Sequence, residues 1–301
     1  MDDSTVEHIS VLADTLAGQI NLPPDGVMVD ATIGHGGHSF LFGKTLGPKA
    51  VIVGFDIDND AVRRARSRLQ DLACKVILLN SNFSQISNEL HGLGIDKVDF
   101  ILADLGVSSP QLADAGFGLS FQSNMPLDMR IDKRFKRTAA DIVNKEDEKK
   151  LADLIYEFGQ DRASRRIARF IVRQRRIEPI TTTAQLAQLV CKALARKKPG
   201  RRSRIHPATR TFQALRIAVN DELENLKQLL ASAPGLLNRD GYMAIISFHS
   251  LEDRLVKNDF KQNAADGIYR ILTKKPIVPT RDQVIENRRA RSAKLRIAQR
   301  Q

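Results

Sequence analysis

The sequence predicts an α/β protein with a doubly wound sheet and an inserted helical domain. Short apolar runs alternate with helical stretches between residues 27 and 105, which is typical of βαβ units. A long helical block follows, and strand-like runs then resume near the C-terminus. The 301 residues, 42% of them hydrophobic, are enough for one large or two moderate domains.

The first part of the sheet can be followed run by run. Strands are predicted at VMVDATI, AVIVGFDID, KVILLN and KVDFILADLG. HSFLFGKTLG and NDAVRRARSRLQDL between them predict helices, and FSQISNELHGLG predicts a helix or a loop. Right-handed crossovers place the carboxyl ends of such strands at one edge of the sheet, where doubly wound sheets bind ligands.

The alternation of strand-like and helical runs ends at Gly106. Residues 107–135 are loop-like, and helical spacing then relates Leu151, Leu154, Ile155 and Phe158, as well as Ile167, Phe170 and Ile171. Thr182 and Gln185 match a capping box. A long amphipathic helix is predicted through Phe212, Leu215, Val219, Leu223, Leu226 and Leu230, before the strands GYMAIISF and AKLRIA. We therefore expect residues 1–113 and 208–301 to form the α/β domain, and residues 114–207 to form the inserted helical domain.

The positive charge is concentrated in the predicted insertion. The net charge is +12, and residues 161–210 hold 15 Lys or Arg against 2 acids, whereas the rest of the chain holds 32 bases and 33 acids. Arg162, Arg166, Arg169, Arg173 and Arg176 share one helical face, and a basic linker adds Lys197, Lys198, Arg201, Arg202 and Arg204. Such concentration favours a polyanionic partner, although a solvated helical face has the same composition.

Other classes are disfavoured by composition. No apolar run is long enough to span a bilayer, and the acidic N-terminus lacks the features of a targeting segment. Cys74 and Cys191 lie far apart and imply no disulfide framework, which fits a reducing cytoplasm. Aromatic residues are scarce and Trp is absent, so a base-stacking platform is not indicated.

The stretch VDATIGHGGHS is the first candidate binding element. Glycines at Gly34, Gly36 and Gly37 let a ligand approach the backbone closely, although plain turns also have this composition. Asp56 ends the second strand, 20 residues after Gly36, where a carboxylate can bind ribose hydroxyls. The turn and the acid together predict a nucleotide-like ligand without separating NAD from S-adenosylmethionine.

Two later features lie at the same predicted edge. Phe83 follows the third strand, in reach of an adenine ring, and Asp104 ends the fourth. The turn Ser108-Ser109-Pro110 follows Asp104, an arrangement that suits presentation of acceptors to an exocyclic amine, or an ordinary loop.

A metal site is not predicted. His35 and His38 lie on a turn with no third ligand nearby, and His206 before Pro207 is assigned a structural role. His249 is close to acids, but we expect Ser250 and Asp253 to cap the following helix.

Five blocks in order give the chain a family resemblance: GHGGHS, DLGVSSPQL, PLDMR, HPATRTFQALRIAVNDEL and ISFHSLEDR. With these blocks the chain resembles the ribosomal RNA small subunit methyltransferase H family (MraW type) over nearly its whole length. The resemblance implies a class I, Rossmann-like fold and S-adenosylmethionine-dependent methylation of a cytidine N4 in the decoding region of 16S rRNA. The partner would be small-subunit rRNA, within a small subunit or a late assembly intermediate.

The resemblance also implies roles for individual residues. Gly36, Gly37 and His38 match contacts to the methionine part of the cofactor, Asp56 the ribose contact, and Phe83 the adenine neighbour. Asp104 and Gln111 match further cofactor contacts. One departure is DAGFGLSF, where Gly116 and Phe117 replace a charged pair of the family.

The implied chemistry requires no metal, because the sulfonium already activates the methyl group. The amine must be held in line with it, about 3–3.5 Å away, while accepting groups take its hydrogen bonds. Asp104, Ser108, Ser109 and Pro110 are the candidates for that role, and Asp128 and His249 come second. The target base must leave its stack.

Two other functions compete with this one. A ribosome assembly factor with an inert methyltransferase fold would keep the basic segment but lose S-adenosylmethionine binding. A methyltransferase of DNA or of a small molecule would keep the cofactor site, but the basic insertion disfavours a small-molecule substrate and the family blocks disfavour DNA.

Overall fold

The computed structural model describes residues 10–106, 117–121, 124–195 and 206–301. The chain divides into two compact units. The first comprises Met1–Gly106 and Leu223–Gln301 and contains the sheet, and the second comprises Val107–Glu222 and is built of helices.

The first unit begins with alternating strands and helices. In order, they are α1 (Ala13–Ala17), β1 (Val27–Asp30), α2 (Gly37–Gly43), β2 (Val51–Phe55), α3 (Asn59–Leu69), β3 (Lys75–Leu79), α4 (Ile86–Gly92) and β4 (Val98–Asp104). A 3₁₀ turn precedes α4. The four predicted strands and the two predicted helices between them are confirmed, and the stretch predicted as a helix or a loop forms the 3₁₀ turn and α4; all are shorter than the sequence runs. The polar or small residues at the ends of those runs form the turns.

The second unit contains α5 (Ala139–Lys145), α6 (Glu148–Gly159), α7 (Ser164–Arg175), α8 (Thr183–Leu194) and α9 (Thr209–Asn220). The apolar residues predicted at helical spacing meet in one buried cluster, with Leu151 and Ile155 of α6 against Ile167 and Ile171 of α7. The predicted capping box of α8 is confirmed, with the Thr182 side chain bonded to the backbone at its third helical residue.

The sheet unit then resumes. Its remaining elements are α10 (Glu222–Leu236), β5 (Leu237–Ser247), α11 (Ser250–Ala265), β6 (Tyr269–Ile271), α12 (Arg281–Glu286), a 3₁₀ turn, and β7 (Lys294–Arg300). The predicted strands GYMAIISF and AKLRIA correspond to β5 and β7, and β6 was not predicted.

The long helix predicted from Phe212 to Leu230 is two helices. Asp221 has a left-handed backbone (φ 50°) and separates α9 from α10. Aspartate tolerates this conformation better than most residues, so a helical hydrophobic pattern can continue across a break. Because α9 packs in the core of the helical unit, the structure divides the chain after residue 222 rather than after the predicted residue 207.

Seven strands form one sheet in the order β3-β2-β1-β4-β5-β7-β6. β1 to β5 run parallel to one another, and β7 is antiparallel to both β5 and β6. β6 therefore points in the same direction as β5. The carboxyl ends of β1 to β6 consequently lie at one edge of the sheet.

Hydrophobic cores cover both faces of this sheet. Successive residues of a strand point to opposite faces, so Phe100 of β4 packs with α1 and α2, whereas Ile101 packs with α10 and α11. Both side chains are fully buried. Among the described residues, no helix combines the length and the apolar character needed to cross a membrane.

Gly54 of β2 is closely surrounded by neighbouring side chains. A Cβ there would lie 2.8 Å from both Ile33 Cδ1 and Leu78 Cδ2. We therefore expect Gly54→Ala to lower the free energy of unfolding by about 1–3 kcal/mol through overpacking. The measurement is the urea midpoint. Gly235→Ala in α10 is the control, because no atom lies within 4 Å of its Cβ, and it should be neutral or stabilising. Equal midpoints for the two variants would contradict this account of the packing.

Candidate active site

Three carboxylates gather at the carboxyl edge of the parallel strands. Asp30 is the last residue of β1, Asp104 is the last of β4, and Asp56 directly follows β2. β1 lies between β2 and β4, so the chain departs from it in both directions and leaves a crevice at the carboxyl ends. The expected convergence of Asp56 and Asp104 at this edge is confirmed.

The glycine turn after β1 is joined directly to Asp56. Gly34 and Gly36 have φ values of 49° and 74°, which glycine adopts without strain. The Gly34 amide donates a hydrogen bond to Asp56 Oδ2 (3.0 Å). Of the described residues, only Thr32 would come within 4 Å of a Cβ on Gly34, with its carbonyl oxygen at 3.8 Å. The turn thus has an open side on which a ligand can approach the backbone.

Asp56 is a partly exposed carboxylate held in a fixed orientation. Besides the Gly34 amide, it accepts a hydrogen bond from the backbone amide of Asp58 (2.9 Å). Burial raises the pKa of Asp56 to about 7, against the lowering effect of these two hydrogen bonds. At neutral pH the group is therefore poised between an acceptor carboxylate and a protonated carboxyl.

A second group of side chains surrounds His38, and two of its members, Asp30 and Ser39, were not singled out by the sequence analysis. The buried Asp30 accepts a hydrogen bond from Ser39 Oγ (2.7 Å), and burial raises its pKa while the nearby His38 lowers it. On the other side, His38 Nε2 lies 3.5 Å from Asp104 Oδ2. Asp30 was missed although it stands in the quoted VDATIGHGGHS. The sequence feature that could have identified Asp30 is its position as an acid at the end of a buried parallel strand, which also identified Asp104.

Among the described residues, His38 is one of the buried side chains with polar atoms that have no hydrogen-bond partner. It begins α2 beside Gly37 and is 6% exposed. Neither ring nitrogen has a hydrogen-bond partner within the described residues. Because buried polar atoms are almost always paired in folded proteins, His38 is a candidate for contact with a bound ligand.

The remaining predicted cofactor residues differ in what the structure shows of them. Phe83 begins the 3₁₀ turn after β3 and packs partly buried against the core under that edge. In the loop before it, Asn80 Nδ2 donates to the Asp56 carbonyl oxygen (3.0 Å). Ser108, Ser109, Pro110 and Gln111 lie outside the described residues.

The secondary catalytic candidates have structural partners. His249, rather than the expected Ser250 and Asp253, caps α11 in a reciprocal box with Glu252. Its imidazole Nδ1 accepts the bond that a serine or aspartate oxygen usually takes. Asp253 instead forms ion pairs with Lys294 (3.1 Å) and Arg296 (2.7 Å) of β7.

Asp128 of the helical unit is likewise engaged. Its carboxylate receives hydrogen bonds from Arg130 Nε (2.7 Å) and Lys133 Nζ (3.1 Å). Although burial opposes the change, these bonds lower the pKa of Asp128. The group holds the chain segment around it and has little capacity left for a substrate.

Two further histidines, His35 and His206, have contacts of their own. His35 is beside Arg64, with 3.2 Å between its Nε2 and Nη1 of the arginine. His206 stacks on Phe121 with ring centroids 4.6 Å apart, and its Nδ1 accepts from the Ala208 amide. The structural role expected for His206 agrees with these contacts.

The predicted arginine face lies on α7 and its two flanking turns. Arg162, Arg166, Arg169, Arg173 and Arg176 are all exposed, opposite the buried face of the helix. Arg169 is partly neutralised, since its Nε lies 3.7 Å from Glu148 Oε1. The linker cations Lys197, Lys198, Arg201, Arg202 and Arg204 lie outside the described residues.

Comparison with known proteins identifies the class to which this fold and edge belong. The protein is a Rossmann-like methyltransferase with S-adenosylmethionine as its methyl donor. More particularly, the chain belongs to the MraW methylase family, whose model matches residues 5–301.

Individual relatives match along nearly the whole chain. The chain is 43% identical to a protein of Clostridioides difficile, over 97% of this chain and 98% of that one. It is 48% identical to a protein of a Cyanothece species, over 97% and 94%. Both relatives are named ribosomal RNA small subunit methyltransferase H. The chain is also similar to the crystal structure of an rRNA methylase from Streptococcus thermophilus, with a TM-score of 0.44 and 10% identity, over 96% of this chain and 93% of that one.

The carboxylate edge fits this methyl donor. The open side of Gly34 leaves room for a ligand against the backbone, and Asp56 presents a carboxylate beside it. The acids Asp30 and Asp104 beside His38 suit a ligand that carries both an ammonium and a positively charged sulfur.

The raised pKa of Asp56 has a measurable consequence. An unfolded aspartate titrates near 3.9, so between about pH 4 and 7 the folded state binds more protons than the unfolded state. The contribution of Asp56 to stability should therefore decrease as pH rises through this window, and Asp56→Asn should abolish that component. The direct measurement is the carboxyl ¹³C shift of Asp56. A transition near pH 7 is expected, and one near pH 4 would contradict the burial argument.

Proposed function

We propose that this methyltransferase acts on small-subunit ribosomal RNA and methylates the N4 amino group of a cytidine in the decoding region of 16S rRNA. The observation that carries the proposal is the whole-length similarity, at 43–48% identity, to proteins named ribosomal RNA small subunit methyltransferase H. The exposed arginine face of α7 supports a polyanionic substrate. The substrate would be a small subunit or a late assembly intermediate, in the cytoplasm.

The proposed cofactor contacts follow the edge from β1 to β4. Gly36, Gly37 and His38 hold the methionine part, and the Asp56 carboxylate accepts hydrogen bonds from the ribose hydroxyls. Phe83 and Gln111 lie beside the adenine and the remainder of the donor. The bond from the Gly34 amide to Asp56 supports this assignment, because it keeps the turn and the ribose contact in one arrangement.

Asp104 is the proposed acceptor for the target amine. S-adenosylmethionine supplies an activated methyl group on a sulfonium, so the protein needs only to position the nucleophile. The lone pair of the cytosine amine is delocalised into the ring, and a carboxylate accepting an N–H bond favours the pyramidal geometry that attack requires. Ser108, Ser109 and Pro110 complete this acceptor surface in the proposal.

Asp104 is suited to that task by its surroundings. Its backbone amide donates to Thr32 Oγ1 (2.6 Å), which joins the end of β4 to the turn after β1. Its carboxylate lies 3.5 Å from Nε2 of His38, and His38 is the residue proposed to contact the methyl donor. A shift of either ligand site is thus transmitted to the other through short, direct contacts.

The function is tested by methyl transfer to small ribosomal subunits that lack the modification. Mass mapping of the digested RNA should locate the product on N4 of a cytidine, and a methyl on a ring carbon or a ribose oxygen would refute the proposal. Asp104→Asn should lower the rate at saturating cofactor by roughly 100-fold, in the range seen for positioned acid–base groups. Asp96→Asn, an exposed acid at the opposite end of β4, is the matched control and should be unaffected.

The two binding functions should separate in crossed variants. The double variant Arg162→Glu/Arg173→Glu should bind RNA about tenfold more weakly, because it loses contacts to phosphates. Each lost phosphate contact should also lower the slope of log affinity against log salt concentration by about 1. Neither arginine forms an ion pair with a described residue, unlike Arg169. Asp56→Ala should do the opposite, lowering S-adenosylmethionine affinity about 10–100-fold.

Calorimetry and filter binding measure the two affinities, with the exposed pair Lys49→Glu/Lys75→Glu as the charge-reversal control. Both control residues lie at the amino ends of strands, away from the carboxylate edge. If the arginine variant binds rRNA as the control does, the basic face of α7 has no part in recognition. If Asp56→Ala binds the cofactor normally, the ribose assignment is wrong.

A further inference from the structure

The connection between β6 and β7, residues 272–293, is much longer than the geometry of the sheet requires. Antiparallel neighbours can be joined by a two-residue hairpin, yet this connection includes α12 and a 3₁₀ turn. The pairing of β6 with β7 therefore does not account for this length. The sequence analysis assigned this segment no role.

The β6–β7 connection is held in a defined shape. At its base, Ile277 and Leu295 exchange backbone hydrogen bonds of 2.9 and 2.8 Å. Ala290 and Ala293 are buried in the core beneath it. The Thr280 side chain caps α12 in a reciprocal box with Gln283. The outer surface of the connection is therefore presented by a fixed backbone.

That outer surface is strongly cationic. The connection carries six exposed cations, Lys274, Lys275, Arg281, Arg288, Arg289 and Arg291, against two acids, Asp282 and Glu286. None of the six forms an ion pair with a described residue. By contrast, at the start of β7 Asp253 forms ion pairs with both Lys294 and Arg296. Like charges in excess and without ion-pair partners raise the free energy of the isolated protein, and an anionic partner relieves that cost.

The connection leaves the sheet at the same edge as the carboxylates. β6 is parallel to β5 and β4, so its carboxyl end lies with theirs. The connection returns at Lys294, which pairs with Ser247 at the end of β5. Within the sheet unit itself, the cations thus flank the β4–β5 side of the carboxylate edge, where Asp104 lies.

We propose that the β6–β7 connection is a second RNA-contact surface, on the sheet unit, that binds the sugar-phosphate backbone next to the target nucleotide. This inference rests on the proposed function and extends it, because it adds a contact independent of the arginine face of α7. The connection contains no aromatic residue and no histidine, so it offers cations without a stacking surface. Such a surface positions a nucleic acid through its phosphates and does not read the bases.

As a consequence, the RNA segment that carries the target base would be bound next to the carboxylate edge. A flipped or splayed nucleotide remains tied to its neighbours through their phosphates. Cations at the edge of the sheet hold those phosphates close to Asp104, whatever the helical unit binds. The β6–β7 connection should therefore contribute to RNA affinity and to the salt dependence of the methylation reaction.

The test compares two double charge reversals of the same residue type in the full-length protein. Lys274→Glu/Lys275→Glu changes the connection, and Lys49→Glu/Lys75→Glu changes the amino-end edge of the sheet. The connection variant should bind small-subunit rRNA about tenfold more weakly at roughly 100 mM salt, with the salt slope reduced by about 1–2. The control should stay within about twofold, and both should keep wild-type affinity for S-adenosylmethionine.

The outcomes separate the inference from the proposed function. If wild type binds and methylates the RNA but the connection variant matches the control, the inference is wrong and the function stands. If wild type neither binds nor methylates rRNA, both are overturned. Should Lys274→Glu/Lys275→Glu fail to fold or to bind cofactor, Arg288→Gln/Arg289→Gln gives the same comparison with neutral side chains.

An anionic membrane is the other surface that exposed cations can bind. Val278 and Ile285 in the connection are 57% and 67% exposed, which adds some apolar area. Sedimentation with phosphatidylserine vesicles tests this directly. Vesicle binding that the connection variant loses, together with unchanged RNA binding, would assign the surface to lipid and overturn the RNA contact.

Discussion

The parallel register of β2, β1, β4 and β5 is the constraint from which the rest follows. It places the carboxyl ends of β1 and β4 next to each other, because Asp30 of β1 is opposite Leu102 of β4, two residues before Asp104. Three carboxylates that are 26 and 48 residues apart in sequence therefore meet at one edge. Gathering charges of one sign is unfavourable, and burial raises the pKa values of Asp30 and Asp56. A ligand that carries positive charge and hydroxyl donors relieves both effects.

The hydrogen bonds of this edge explain why a glycine turn and separate acids behave as one site. Gly34 donates to Asp56, and Thr32 accepts from the amide of Asp104. The turn after β1 thus contacts the ends of both neighbouring strands. Donor and acceptor of the methyl group can then be held by elements of a rigid sheet, which is the arrangement that in-line transfer demands.

The sequence predicted most of the sheet because its strands are buried on both faces and read as continuous apolar runs. It missed β6, whose three residues YRI are too short for any periodicity to register. The sequence analysis also predicted α9 and α10 as one helix. The hydrophobic pattern continues across Asp221, where only the backbone conformation changes, to the left-handed region. The spacing of apolar residues indicates which side chains are buried. It does not reveal one residue with a left-handed backbone that interrupts a helix.

The carboxylate edge was predicted in part for the same physical reason. Asp56 and Asp104 were placed at this edge because they end apolar runs, and Asp30 was missed because the sequence analysis considered only the glycines that follow it. The cap of α11 was assigned to Ser250 and Asp253, whereas the imidazole of His249 takes that role and Asp253 pairs with β7. Counting charges by segment located the arginine face. It missed the β6–β7 connection, because the cations there were counted together with the acids of the rest of the chain.

The central claim is that the methyl donor lies on the Gly34–Gly37 turn with its ribose on Asp56. A crystal structure with S-adenosylhomocysteine tests this most directly. The account predicts ribose hydroxyls within hydrogen-bond distance of the Asp56 carboxylate and the sulfur near His38 and Asp104. A ligand bound elsewhere, away from these carboxylates, would contradict it.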